Sequence, residues 1–129
     1  MTDKATGPGS RPNADTAHAR SVGLPVADVA AALQEHLGQA LLGVIVDKNV
    51  RTLARWANAT VRPPHASEKL LRDTLQVFEL LTSVDSPDVA RAWFMGMNPQ
   101  LDDASPVEAL SDGRSRDVMV AARAYISAG

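Results

Sequence analysis

The chain has 129 residues, no cysteine and a formal net charge of −2. That length allows one domain or two very small ones. The missing cysteine excludes disulfides, thiolate chemistry and cysteine-ligated zinc. The N-terminal stretch is polar and no apolar run is long enough to span a bilayer, so a soluble, cytoplasmic protein with no membrane partner is expected.

Residues 1–22 mix Gly, Pro, Ser, Thr, Asn and Asp without apolar periodicity. Such a segment buries too little to offset its ordering entropy, so a disordered tail is expected, with Arg11 and Arg20 as its cations near any DNA. From Leu24 onward helical spacing takes over. Val26, Val29, Leu33 and Leu37, with Ala30 beside them, predict a first helix that ends at Gly38. Gln39 to about Ile45 is the second, with Leu41, Leu42 and Ile45 on its apolar side. Asp47 is placed to cap the third, from about Lys48 to Asn58, whose inward face is read as Val50, Leu53, Ala54 and Ala57. Pro63-Pro64 stops it.

A fourth helix, from near His65 to Thr82, carries a broad apolar face of Leu70, Leu71, Thr74, Leu75, Val77, Phe78 and Leu81, and reads as the spine. Ser86-Pro87-Asp88 starts a fifth, with Val89, Ala92 and Trp93 inward and Gly96 at its end. Residues 97–104 form a loop. Ser105-Pro106-Val107-Glu108 is a capping box that opens a short helix ending at Gly113. A last helix over about 115–127 buries Val118, Ala121, Ala122 and Tyr125. Aromatics are scarce, so Trp56, Phe78, Trp93, Phe94 and Tyr125 are expected as core anchors. No strand is predicted. The fold class is all-α, a helix-turn-helix bundle at 23–83 followed by a three-helix module at 84–129. A chain cut after about residue 84 is expected to fold as the helix-turn-helix alone.

Charge is divided unevenly. Residues 48–67 carry Lys48, Arg51, Arg55 and Arg62 and no acid, which in an acidic chain marks a basic stripe for DNA. Residues 84–112 carry Asp85, Asp88, Asp102, Asp103, Glu108 and Asp112 against Arg91 alone. That half suits a protein partner with a basic face. His18, His36 and His65 lack ligand spacing, and neither a glycine-rich phosphate loop nor a nucleophile elbow is present. No catalytic residue, metal or cofactor is assigned, and a binding module is expected rather than an enzyme.

Two stretches carry a family resemblance. Gly43-Val44-Ile45-Val46-Asp47, then Arg51-Thr52, Arg55-Trp56 and Pro63, resembles the Xre-like helix-turn-helix of the MbcA/ParS/Xre antitoxins. Ala92-Trp93-Phe94-Met95-Gly96-Met97-Asn98-Pro99, followed by Leu101, Pro106, Leu110, Asp112-Gly113 and Val118, is similar to the C-terminal toxin-binding domain of the same family. The chain departs from the pattern at Asn58-Ala59 and at Asp102-Asp103, positions where the family often has glycine.

The resemblance implies a type II antitoxin. Its partner would be a RES-domain toxin that degrades NAD or transfers ADP-ribose, neutralised by covering its active site, and the antitoxin would bind operator DNA in autoregulation. On that reading the DNA-binding residues are Lys48, Asn49, Arg51, Thr52, Arg55 and Arg62. The toxin-binding residues are Met97, Asn98, Pro99, Leu101, Asp102, Asp103 and Tyr125. A homo-oligomer, or a hetero-oligomer with the toxin, is expected. The competing reading is a stand-alone helix-turn-helix transcriptional regulator without a toxin.

Overall fold

A computed structural model describes residues 23–128; the tail expected to be disordered, 1–22, lies outside the described residues. The chain runs α1 (Val26–Leu37), α2 (Gln39–Val46), α3 (Val50–Ala57), α4 (His65–Thr82), α5 (Pro87–Met95), a single 3₁₀ turn (Pro99–Leu101), α6 (Pro106–Ser111) and α7 (Ser115–Ala128). The described residues contain no strand, as the periodicity predicts.

Helix starts follow local chemistry. Ser86 Oγ accepts from the Val89 amide at 3.2 Å. At α6 the capping box forms as read, with Ser105 N–H donating to Glu108 Oε1 at 2.9 Å and Glu108 N–H to Ser105 Oγ at 3.1 Å. One cap differs from the reading. Asp47 does not cap α3; it ends α2 in the left-handed region at φ 56°. Asn49 is the cap, its Oδ1 accepting from the Thr52 amide at 2.9 Å. Asp and Asn are near-equal cap formers, so residue type does not choose between them. The turn does, and it is held tight by the amide of Lys48, which donates to the Gly43 carbonyl at 3.1 Å. A Cβ on Gly43 would sit 2.9 Å from the Lys48 carbonyl oxygen, so this close approach requires glycine.

The ends of α3 and α6 use one motif with different residues. At α6, Gly113 N–H donates to the Leu110 carbonyl and Arg114 N–H to that of Ala109. At α3, Ala59 N–H donates to the Trp56 carbonyl and Thr60 N–H to that of Arg55. Both are Schellman ends, and their left-handed residue is Gly113 (φ 83°) in one and Ala59 (φ 64°) in the other. A left-handed alanine costs about 1–2 kcal/mol that glycine does not. Ala59→Gly is therefore expected to stabilise the protein by about 1 kcal/mol, a rise of roughly 4–8 °C in Tm for a domain of about 100 residues. A thermal melt checks it, and an unchanged or lower Tm would sink the argument.

The core is one continuous cluster from Val26 to Ala122. α4 is the spine, packing on α1, α2, α5 and α7, while α3 packs on α1 and α6 on α2. Phe78 of α4 meets Phe94 of α5 with ring centroids 6.1 Å apart, and His36 of α1 stacks on Phe78 at 4.4 Å. The residue 83/84 boundary falls in the turn between α4 and α5, and the core runs across it.

Three inward faces differ from the reading. α3 buries Leu53 and Trp56, leaving Val50 and Ala54 exposed. α5 buries Ala90 and Phe94, leaving Val89 and Ala92 exposed and Trp93 half-buried. α7 buries Val118, Ala121 and Ala122, but Tyr125 reaches the surface. In α5 nearly every side is apolar, so Val89/Ala92/Trp93 and Ala90/Phe94 both satisfy helical spacing, and Phe94 is the residue that packs against Phe78.

Candidate functional site

Two surfaces gather the residues singled out by the sequence. The first is the outer face of α3. Arg51, Ala54 and Arg55 are exposed along it, with Lys48 in the preceding turn. Lys48, Arg51 and Arg55 make no ion pair among the described residues. The other sequence-assigned DNA residues stand differently. Asn49 is occupied as the helix cap and Thr52 is half-buried behind it. Arg62 donates to Glu68 Oε1 at 2.8 Å. Glu68 also takes a two-pronged hydrogen bond from Arg72, at 3.0 and 2.9 Å, and Arg72 donates onward to the Leu24 carbonyl at 2.7 Å. The Arg72 hydrogen bond, helped by the charges of Arg62 and Arg72, holds the Glu68 carboxyl below the usual glutamate range. Arg62 is thus tethered to a network that fastens α4 to the start of α1.

The second surface is built around the 97–104 loop. Asn98 organises it. Its carbonyl accepts from the amides of Leu101 and Asp103, at 2.9 and 3.0 Å, its own N–H reaches the Ala104 carbonyl at 3.1 Å, and its Oδ1 accepts from the Gln100 amide at 2.9 Å. Leu101 is fully buried, so it anchors the loop and offers nothing to a partner; this corrects its place among the toxin-contact residues. Arg114, which the sequence reading missed, clamps the loop from the turn just before α7. It donates to Asp117 at 3.0 Å, to Asp102 at 3.3 Å and to the Leu101 carbonyl at 3.4 Å. No spacing reveals it, because Asp102 and Leu101 lie 12 and 13 residues away. Asp102 and Asp103 are both left-handed, at φ 57° and 67°, which is why glycine suits these positions and why Asp is tolerated there.

Around this rigid loop the surface is apolar and acidic. Met97 is 78% exposed, Pro99 and Asp103 are open, and Val89 and Ala92 extend the patch along α5. Trp93 closes the patch, edge-on to Phe94 with centroids 5.6 Å apart and 6.3 Å from the Tyr125 ring. Tyr125 Oη donates to Asp85 Oδ2 at 2.6 Å, and this bond, with some burial, raises the phenol above its ordinary value. The two kinds of loop residue separate in energetics. Leu101→Ala is expected to cost about 2–5 kcal/mol through its cavity, whereas Met97→Ser should change stability by less than about 0.5 kcal/mol. Urea denaturation of the two variants checks both, and a large loss at Met97 would mean that it is not a surface group.

No protein-family profile matches the chain. Individual relatives do. Over 78 residues it is 30% identical to the mycobacterial cidal antitoxin MbcA of Mycobacterium tuberculosis (strain ATCC 25618 / H37Rv), covering 60% of this chain and 69% of the relative. The chain belongs to the MbcA antitoxin family. MbcA of Mycobacterium bovis matches at the same identity and coverage. Among solved structures, a chain of the crystal structure of the M. tuberculosis MbcT–MbcA toxin–antitoxin complex superposes with a TM-score of 0.67 at 27% identity. The match covers 78% of this chain and 93% of that one, so the all-helical architecture is shared through both halves. Among the described residues no helix is long and apolar enough to cross a membrane, and no group of three or more His, Asp or Glu is arranged to hold a metal.

Proposed function

We propose that the chain is the antitoxin half of a toxin–antitoxin pair, and that its partner is a RES-domain toxin which degrades NAD or transfers ADP-ribose. The face formed by α5, the 97–104 loop and Tyr125 covers the toxin's active site. The observation that carries this reading is the match over 93% of a chain taken from a toxin–antitoxin complex. Two features of the surface support it. Val89, Ala92 and Trp93 on α5 and Met97 on a loop already locked by Asn98, Leu101 and Arg114 leave an apolar patch, so little ordering cost remains on binding. The acids around it, Asp88 and Asp103, complement a cleft that must be positive to hold pyrophosphate.

A second role rests on α3. Arg51 and Arg55 point outward without ion-pair partners among the described residues, as a helix presented to a DNA major groove would require. We assign this face to the operator of the chain's own promoter.

The deciding experiment is induction of the neighbouring gene's product, alone and with the chain co-expressed, reading growth and cellular NAD. Growth arrest and NAD loss that both recover on co-expression are expected. A harmless neighbour, or toxicity that the chain does not relieve, would leave α3 as the working surface of a stand-alone regulator.

A further inference from the structure

A separate groove runs between α4 and α7. Arg116, Met119, Val120 and Arg123 recur on one face of α7 at helical spacing, distinct from the buried face of Val118, Ala121 and Ala122. Val120 is 55% exposed and Met119 half-buried, so the floor is apolar. Lys69 of α4 forms the opposite rim, its charge held by Asp73 at 2.9 Å. Arg116 and Arg123 are exposed, about 10 Å apart along the helix, and make no ion pair among the described residues. An apolar strip beside two exposed guanidiniums fits an apolar side chain with a carboxylate near it. It fits nucleic acid poorly, because Met119 and Val120 have no phosphate to meet.

The complementary chemistry is present on the chain itself, where Met97, the most exposed large apolar residue among those described, shares the loop with Asp103. That loop is fastened by Arg114 to the flank of α7 that carries Asp117, away from the flank of Arg116 and Arg123, so a chain does not fill its own groove. We propose that copies of this protein associate head to tail, the Met97–Asp103 loop of one seated in the α4–α7 groove of the next. The contact is heterologous, so every open assembly keeps one free groove at one end and one free loop at the other. If the loop also meets the toxin, a consequence that rests on the function proposed above, self-association and toxin capture compete for it.

Light scattering after size exclusion, on the full chain across a concentration series, tests this. At low ionic strength the mass should grow with concentration past the dimer. At about 0.5 M salt, where the Debye length is near 4 Å, it should fall back toward the monomer. Arg116→Glu/Arg123→Glu breaks the groove and Met97→Ser/Asp103→Asn breaks the loop, and each variant alone should stay monomeric while its circular dichroism is unchanged. Mixed, they should form a one-to-one dimer and stop there, because only one intact groove and one intact loop remain. If charge reversal itself disturbs folding, Arg116→Gln/Arg123→Gln gives the same readout, and the salt dependence of the unaltered chain stands without any variant. The proposal is overturned if the chain is monomeric at every concentration, if the mixture stays monomeric, or if a discrete dimer ignores both sets of substitutions. A monomeric chain whose groove variants weaken toxin capture would assign the groove to the toxin.

Discussion

A chain cut after Ser83 is expected to be unfolded. The spine helix α4 presents Leu71, Leu75, Phe78 and Leu81 to a core that the second half completes with Phe94, Leu110, Val118 and Ala122. Truncation exposes the Phe78 ring that Phe94 covers, and it removes α6 from α2 and α7 from α4. Deleting a single buried phenylalanine side chain costs about 3–5 kcal/mol and a buried leucine about 2–5. Whole domains are stable by only about 5–15 kcal/mol. Loss of Phe94, Leu101 and Leu110 together therefore reaches the whole stability before the smaller residues are considered. The sequence alone favours the opposite result, because four helices with a tight turn read as self-sufficient. Circular dichroism and a thermal melt of the 1–83 fragment decide it: a cooperative transition would show that the first four helices hold a core of their own, and no transition is expected. Mapping of the toxin surface thus calls for point substitutions in the full chain rather than truncation.

The helices were legible because capping signals and periodicity agree with each other. Ser105 and Glu108 announce α6 before any packing is known, and Pro87 and Gly113 mark a start and a stop whose physics is local. Which side of a helix faces inward is not local. In α5, Val89, Ala90, Ala92, Trp93 and Phe94 crowd the circumference, so the inward side is settled by the partner, here Phe78. The same holds for Asp47 and Asn49, two good caps two residues apart, separated only by how Gly43 lets the turn close. The sites divide the same way. Exposed cations on α3 and the exposed loop tip were readable from charge and turn residues. Leu101 as anchor and Arg114 as clamp were not, since both act through contacts between segments distant in sequence. At Ala59, Asp102 and Asp103, none of them glycine, the backbone nonetheless takes the left-handed conformation.

Replacing Arg51 and Arg55 together by alanine is expected to abolish operator binding and leave the thermal melt unmoved. Both side chains are exposed on α3 and carry no contact that the fold uses. A guanidinium that meets a base edge in two hydrogen bonds discriminates by about 1–3 kcal/mol, so losing two removes roughly 2–6 kcal/mol. That is a loss of about thirtyfold to more than ten-thousandfold, enough to reduce specific binding to the level of any duplex. Three neighbouring substitutions separate specificity from other effects. Lys48→Ala should weaken binding to every sequence alike and lower the salt slope by about one, as loss of a phosphate contact does. Asn49→Ala should instead cost about 0.5–2 kcal/mol of folding stability, because its Oδ1 caps α3. Arg62→Ala should loosen the Glu68–Arg72 network at the start of α4 before it affects DNA. Fluorescence anisotropy against the promoter fragment and against a scrambled duplex, at two salt concentrations, reads the double substitution and Lys48→Ala, and thermal melts read Asn49→Ala and Arg62→Ala. Operator affinity that survives the double substitution would remove α3 from the DNA interface and leave its basic stripe as a solvated face.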